Sequence, residues 1–307
     1  MHSISPYMLR CFNQNLPGKG NDKYSPLDKV GKYDTFHLLK SFIEAKQDNF
    51  KIVEDSKQVF RFQGMEYDEK KREIFGWFQV GSYGIKTDII NIDNGEVDFE
   101  KAQNNAEIIR HYIHFFIPNK FNEGIAILHA YRGNGVKTLF YNLFKPYFNQ
   151  YTNLNIQMNP LSYDKAMASW QDANAKELKV TKFVGLTDIA DQLRNLGHKE
   201  QELIIKPPRN GALGKLKDYF NKDSEQAKAV EVLSPLGSQV KTVVEINGKR
   251  RTFRVGQFDY NTLCEIELDD EVKLIDGNPE LTSMHKWCKT ILQEYSITMY
   301  PNMNVVS

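Results

Sequence analysis

The residues able to do chemistry gather around glycine turns and basic stretches rather than around a catalytic signature. Gly133-Asn134-Gly135-Val136-Lys137-Thr138 comes first. Glycine and asparagine accept the left-handed backbone of a sharp turn. Val136, Leu139, Phe140, Leu143, Phe144 and Tyr147 then recur at helical spacing. Gly124 to Tyr131 is a compact apolar run, so the unit reads as strand, glycine turn, helix. Backbone N–H groups at a helix start attract anions, and Arg132 and Lys137 add formal charge. A nucleotide-hydrolysing loop needs lysine directly after its second glycine, and here Val136 intervenes. What is left is a generic phosphate contact or a plain tight turn that starts a helix. With positive φ expected at Gly135, a β-branched replacement there should be strained.

Two further basic clusters stand out: Lys206, Arg209, Lys215 and Lys217 in IIKPPRNGALGKLK, and Lys249, Arg250, Arg251 and Arg254. The second flanks Asn247-Gly248, the strongest short hairpin signal. A two-residue turn there pairs Ile246 with Lys249, Glu245 with Arg250, Val244 with Arg251 and Lys241 with Arg254. Val240, Thr242, Phe253 and Val255 then share one face, which is also the inward side of Arg251. Arg250, Thr252 and Arg254 share the exposed face with Lys241, Val243 and Glu245. A basic ribbon can lie on a phosphate backbone or enter a groove, and it can equally be an edge protected by charge.

Catalytic patterns are weaker. Asp98-Phe99-Glu100-Lys101 and Glu245 with Lys249 offer carboxylates and lysines, which surface charge explains better. His111 and His114 are three apart in a strand, on opposite faces, and His129 sits in an apolar strand as a core histidine. No nucleophile motif is visible, and neither a metal nor a cofactor is expected.

Lys+Arg 40 against Asp+Glu 39 confines any nucleic-acid site to a local patch. Cys11, Cys264 and Cys288 are too scattered for a disulfide framework or a metal knuckle, which points to a reducing cytoplasm. No apolar run reaches the length of a membrane span, and no membrane association is expected.

The elements that must position these groups divide the chain at residue 131. Residues 1–131 read as a mainly antiparallel β domain, with an irregular lead-in over the first 33 residues and a helix from Thr35 to Ala45 capped by Asp34 or Thr35. Its strands are Lys51–Val53, Val59–Phe62, Ile74–Val80, Lys86–Ile92, Ile108–Phe116 and Gly124–Tyr131. Residues 132–307 read as an alternating α/β domain with strands at Asn153–Met158, Leu178–Val184 and Glu202–Lys206. Helices are expected at Ser162 to Ala175, Thr187 to Leu196, Leu213–Phe220 and Glu225–Leu233. The hairpin, a strand at Cys264–Leu268 and a closing helix at Leu281–Tyr295 follow. The fold class is α+β.

The segment order resembles a family of bacterial proteins from prophages and defence islands. The likeness is carried by Gly81-Ser82-Tyr83-Gly84, Gly124-Ile125-Ala126-Ile127-Leu128, Gly135-Val136-Lys137-Thr138, Met158-Asn159-Pro160-Leu161 and Asp188-Ile189-Ala190-Asp191. Leu203-Ile204-Ile205-Lys206-Pro207, followed by a lysine-bearing helix, is similar to RexA-like phage-exclusion proteins. The likeness spans roughly Phe60 to Phe220. It implies a protein that senses or binds DNA during infection, and it supplies no catalytic residues.

The first expectation is therefore a non-enzymatic nucleic-acid-binding homodimer of an anti-phage system, with DNA as partner, RNA as the alternative, and a phage or defence protein as a further partner. The competing readings are a metal-dependent nuclease or nucleotide-processing effector, and a protein–protein adaptor using the aromatic-rich N-terminal sheet.

Overall fold

A computed structural model of the chain describes residues 2–161, 170–183, 201–237, 239–246, 248–256 and 264–300. The strands in chain order are β1 (His2–Phe12), β2 (Lys51–Val53), β3 (Gln58–Asp68), β4 (Glu73–Ser82), β5 (Thr87–Ile90), β6 (Val97–Lys101), β7 (Glu107–Phe116), β8 (Gly124–Tyr131) and β9 (Asn134–Gly135). They continue as β10 (Asn155–Pro160), β11 (Asn174–Thr181), β12 (Glu202–Ile205), β13 (Gln239–Ile246), β14 (Lys249–Val255), β15 (Cys264–Glu267), β16 (Leu274–Ile275) and β17 (Asn278–Pro279). The α-helices are α1 (Thr35–Glu44), α2 (Lys137–Thr152), α3 (Glu225–Leu233) and α4 (Leu281–Met299). The fold is α+β, with mainly antiparallel strand pairing and a C-terminal helix.

Two compact units share the chain, and neither is continuous in sequence. The first is Met8–Met158 with Asp270–Cys288; the second is Met1–Tyr7, Asn159–Asp269 and Lys289–Ser307. This differs from a single cut at residue 131, because α2 and the start of α4 belong with the first unit.

In the first unit, which holds β1 from Met8 onward, the strand order is β1-β8-β7-β4-β3-β2. One face of this sheet is a phenylalanine core: Phe62 stacks on Phe78 at 4.7 Å, and Phe140 of α2 lies 4.9 Å from Phe115. Helix α1 presents Phe36, Leu39, Phe42 and Ile43 at helical spacing, all buried, and Phe42 meets Phe144 at 5.2 Å. Asp34 starts α1 by accepting the Phe36 N–H at 2.8 Å, and the same carboxylate receives both Arg72 terminal nitrogens at 2.7 Å. Most aromatic residues of this sheet are packed in the core, while Phe12, Phe50 and Phe99 are exposed.

The N-terminal stretch is not an irregular lead-in. His2–Phe12 is a strand buried on both faces, so it lacks the in-out alternation that betrays a half-exposed strand, and Pro6 disguises it further. Its Arg10 is buried, ion-paired to Glu123, and lies 4.8 Å from the Tyr24 ring.

The second unit is an antiparallel sheet ordered β12-β11-β13-β14-β15, with β15 pairing Ser3 and Ile4 of β1. The hairpin has the expected register, Ile246 opposite Lys249 through Val240 opposite Val255. Gly248 has φ +79 as the turn requires; Asn247 lies outside the described residues. Ala175, expected at a helix end, is in β11, and Leu216–Phe220 is a 3-10 turn rather than part of an α-helix. Most of the expected helix from Ser162, the whole helix from Thr187 to Leu196, and Asp188-Ile189-Ala190-Asp191 lie outside the described residues.

Candidate nucleic-acid interface

The β8–α2 connection is more constrained than a plain glycine turn. After β8 the chain reverses into β9, pairing Ala130 with Gly135 and Tyr131 with Asn134. The two residues at the tip, Arg132 and Gly133, have φ +50 and +78. Two consecutive positive φ values define the type I′ hairpin turn, which favours Asn, Asp or Gly at its first central position. Positive φ therefore falls on Arg132 and Gly133 and not on Gly135, whose added Cβ would meet only Ala130 Cβ at 3.6 Å. The strain expected from a side chain at position 135 is moved to position 132.

Arg132 through Gly135 are exposed, and the Arg132 guanidinium lies 5.2 Å from the Tyr131 ring. Helix α2 then begins with Val136 at the cap position, without a side-chain cap and with no acidic residue in its first turn. Its first N–H groups thus keep their positive field. Lys137 is half-buried with its ammonium 5.0 Å from the Tyr141 ring, and burial lowers its pKa. Lys145, one turn beyond Tyr141, lies 5.7 Å from the same ring. Among the described residues neither Arg132 nor Lys137 has a carboxylate partner.

The basic clusters of the second unit are in a different electrostatic state. Arg250 donates from Nε to Glu245 at 3.0 Å and reaches Glu177 at 3.7 Å. Lys206 meets the same buried Glu177 at 3.5 Å, and Lys179 lies between Glu177 at 3.4 Å and Glu267 at 3.6 Å. Lys241 is paired with Glu265. Lys215 and Lys217 share Asp172 at 3.1 and 2.8 Å, and hydrogen bonds from Lys217 and Lys215 hold that carboxyl below its ordinary range. Arg209 is exposed with no ion-pair partner among the described residues. Lys249 is described only in its backbone.

The face expected to be open on the hairpin is only partly so. Arg250 is exposed, Arg254 is half-buried, and Val243 and Thr252 between them are buried. Arg251 is inward as expected: its guanidinium lies 4.4 Å from Trp170 and 5.4 Å from Tyr295, and it pairs with Glu294. The sequence reading missed Glu177, Glu265 and Glu267. Their only signal was alternation with lysine and apolar residues in β11 and β15, whose pairing with the hairpin is long-range.

The chain matches no family model and no curated protein. His111, His114 and His129 are buried: His111 Nδ1 lies 3.1 Å from the His129 carbonyl oxygen, and His114 Nε2 lies 3.1 Å from Glu73. Tyr112 Oη is 2.9 Å from Nδ1 of His285, which stacks on Phe75. Among the described residues no group of three or more His, Cys, Asp or Glu side chains is placed to hold a metal ion, and no helix is long and apolar enough to cross a membrane.

Proposed function

We propose that this chain binds nucleic acid, with DNA as the first partner, through phosphate contacts at the β8–α2 turn and without catalysing a reaction. The observation that carries the reading is Arg132, an exposed arginine held at φ +50 beside an uncapped helix start that also bears Lys137. Left-handed backbone costs a non-glycine residue roughly 1–2 kcal/mol. Such a cost supports a functional reading because the tip side chain is exposed, with the Tyr131 ring beside it. Phosphate placed here meets two cations and the start of α2, which no side chain caps. Tyr131 and Tyr141 beside these cations offer rings on which a base can stack.

The clusters on β14 and at residues 206–217 contribute less to this reading, since most of their described cations already have carboxylate partners. The likeness to RexA-like proteins extends the proposal to phage exclusion in the cytoplasm, and a homodimer would double the phosphate contacts of one particle.

A gel-shift titration with duplex DNA, single-stranded DNA and RNA across salt concentrations tests the proposal. Affinity should fall linearly on a log–log plot against salt, with a slope of about −0.9 for each duplex phosphate contacted. Protein that ignores all three polymers at low salt would refute it. For the biological role, phage plating on a host expressing the chain should differ from plating on a host expressing Lys137→Ala; equal plating would remove phage exclusion from the proposal.

A further inference from the structure

Six of the exposed large apolar residues of the first unit lie in one short segment, Ile85 to Phe99. Strands β5 and β6 form a two-stranded sheet of their own, inserted between the paired strand ends Ser82 and Glu107. Its base is closed by the Gly84 N–H donating to the Gln103 carbonyl at 2.8 Å. Every residue of β5 is exposed, as is all of β6 except Lys101. Ile85, Ile89, Ile90, Ile92, Val97 and Phe99 range from 48% exposed at Ile89 to 92% at Ile92. These six side chains are divided between the two faces of the ribbon and its flanking turns, and exposed large apolar residues gathered in one segment mark a surface with a use. A two-stranded ribbon is also marginal by itself, and among the described residues no strand lies beside its two outer edges.

Charge decides what can cover it. Between Gly84 and Gln103 five carboxylates (Asp88, Asp93, Glu96, Asp98, Glu100) face two lysines, in a chain whose net charge is +1. Ile89 stands opposite Phe99, and on the other face Asp88 stands opposite Glu100. Like charges directly opposite each other weaken an isolated ribbon. Lys86 reaches Glu100 at 2.9 Å, and Asp88 has no ion pair among the described residues. Two ribbons from two copies would bring ten carboxylates together. Nucleic acid and anionic lipid would be repelled in the same way.

We infer that the β5–β6 ribbon is a docking arm for a partner protein that presents a cationic, partly apolar strand, received by pairing along a ribbon edge. The strand's backbone completes an open edge, its apolar residues cover Ile89 and Phe99, and its cations meet Asp88 and Glu100. The inference does not depend on nucleic-acid binding at the β8–α2 turn.

Fluorescence anisotropy of the full chain with a short synthetic peptide alternating lysine and valine tests it, with a glutamate–valine peptide as control. The lysine peptide should bind and the glutamate peptide should not. Phe99→Ser and the charge reversal Asp88→Lys should each weaken binding by about tenfold or more. Asp88→Asn serves as the milder variant, and unchanged urea midpoints would establish that the variants fold. Absence of lysine-peptide binding, equal binding of both peptides, or binding indifferent to Phe99→Ser and Asp88→Lys would overturn the inference. So would a solution dimer that Phe99→Ser dissolves, or binding to phosphatidylcholine vesicles that Phe99→Ser abolishes, since each names a different occupant.

Discussion

The β13–β14 hairpin and the β5–β6 ribbon are built alike, each two antiparallel strands joined through a segment that contains Asn-Gly, yet they reach opposite physical states. In the hairpin, neighbouring strands supply both the packing and the countercharge: β11 brings Glu177 and β15 brings Glu265 and Cys264. Among the described residues no third strand pairs with either edge of the ribbon, and its apolar residues and carboxylates are exposed. A basic run read along one hairpin therefore overstates the field that a ligand would meet. An apolar, acidic run in the ribbon keeps most of its effect, because among the described residues only Lys86 forms an ion pair with one of its carboxylates.

The largest effect that could break this contrast comes from one residue type in both settings. Phe253 is 1% exposed and Phe99 is 52% exposed. Phe253→Ala should cost roughly 3–5 kcal/mol in urea unfolding. Phe99→Ala should stay within about 1 kcal/mol. Comparable losses at both positions would mean that the ribbon is packed after all.

Next come the arginines. Arg251→Ala removes a buried cation from Trp170, Tyr295 and Glu294 and should destabilise by about 2–4 kcal/mol. Arg250→Ala, at 55% side-chain exposure, should change stability by about 0–1 kcal/mol. The reverse ranking would show that the two faces of the hairpin have been exchanged.

A smaller effect separates the regions by accessibility. Cys264, opposite Phe253, is fully buried, and burial raises its thiol above the ordinary 9.0. The unfolded thiol therefore ionises first. Its contribution to stability is complete below about pH 9 and is lost as pH rises towards the folded value. At pH 8 a thiol reagent should modify Cys264 only on unfolding, while chymotrypsin cuts the ribbon at Phe99 in the native protein. Rapid native-state labelling of Cys264, or a ribbon that resists the protease, would reverse the contrast.

The sequence was most legible where local chemistry decides the outcome. The Asn247-Gly248 pair set the register of β13 and β14, and Asp34 capped α1 as its side chain and the following apolar spacing foretold. Strands β2 and β8 and helix α3 have the expected ends. Legibility failed where distant residues decide. Strand β1 is covered on both sides by segments far along the chain, which erased its alternation. Strand β6 mixes carboxylates with apolar residues because neither of its faces is buried. At the candidate site, Arg132, Lys137 and the helix start were readable, but the type I′ turn that moves positive φ onto Arg132 was not. The neutralisation of Arg250 and Lys206 was hidden for a simpler reason: Glu177 lies about seventy residues from Arg250 in sequence and becomes its neighbour only through sheet pairing.

The most direct measurement is the salt dependence of duplex DNA binding for two double variants, Arg132→Ala with Lys137→Ala and Arg250→Ala with Arg254→Ala. The account predicts that the turn variant loses about two units of log–log slope, near 0.9 for each lost phosphate contact, while the hairpin variant keeps almost the parent slope. A turn variant with the parent affinity and slope, beside a hairpin variant that has lost both, would contradict it and return the interface to the basic hairpin.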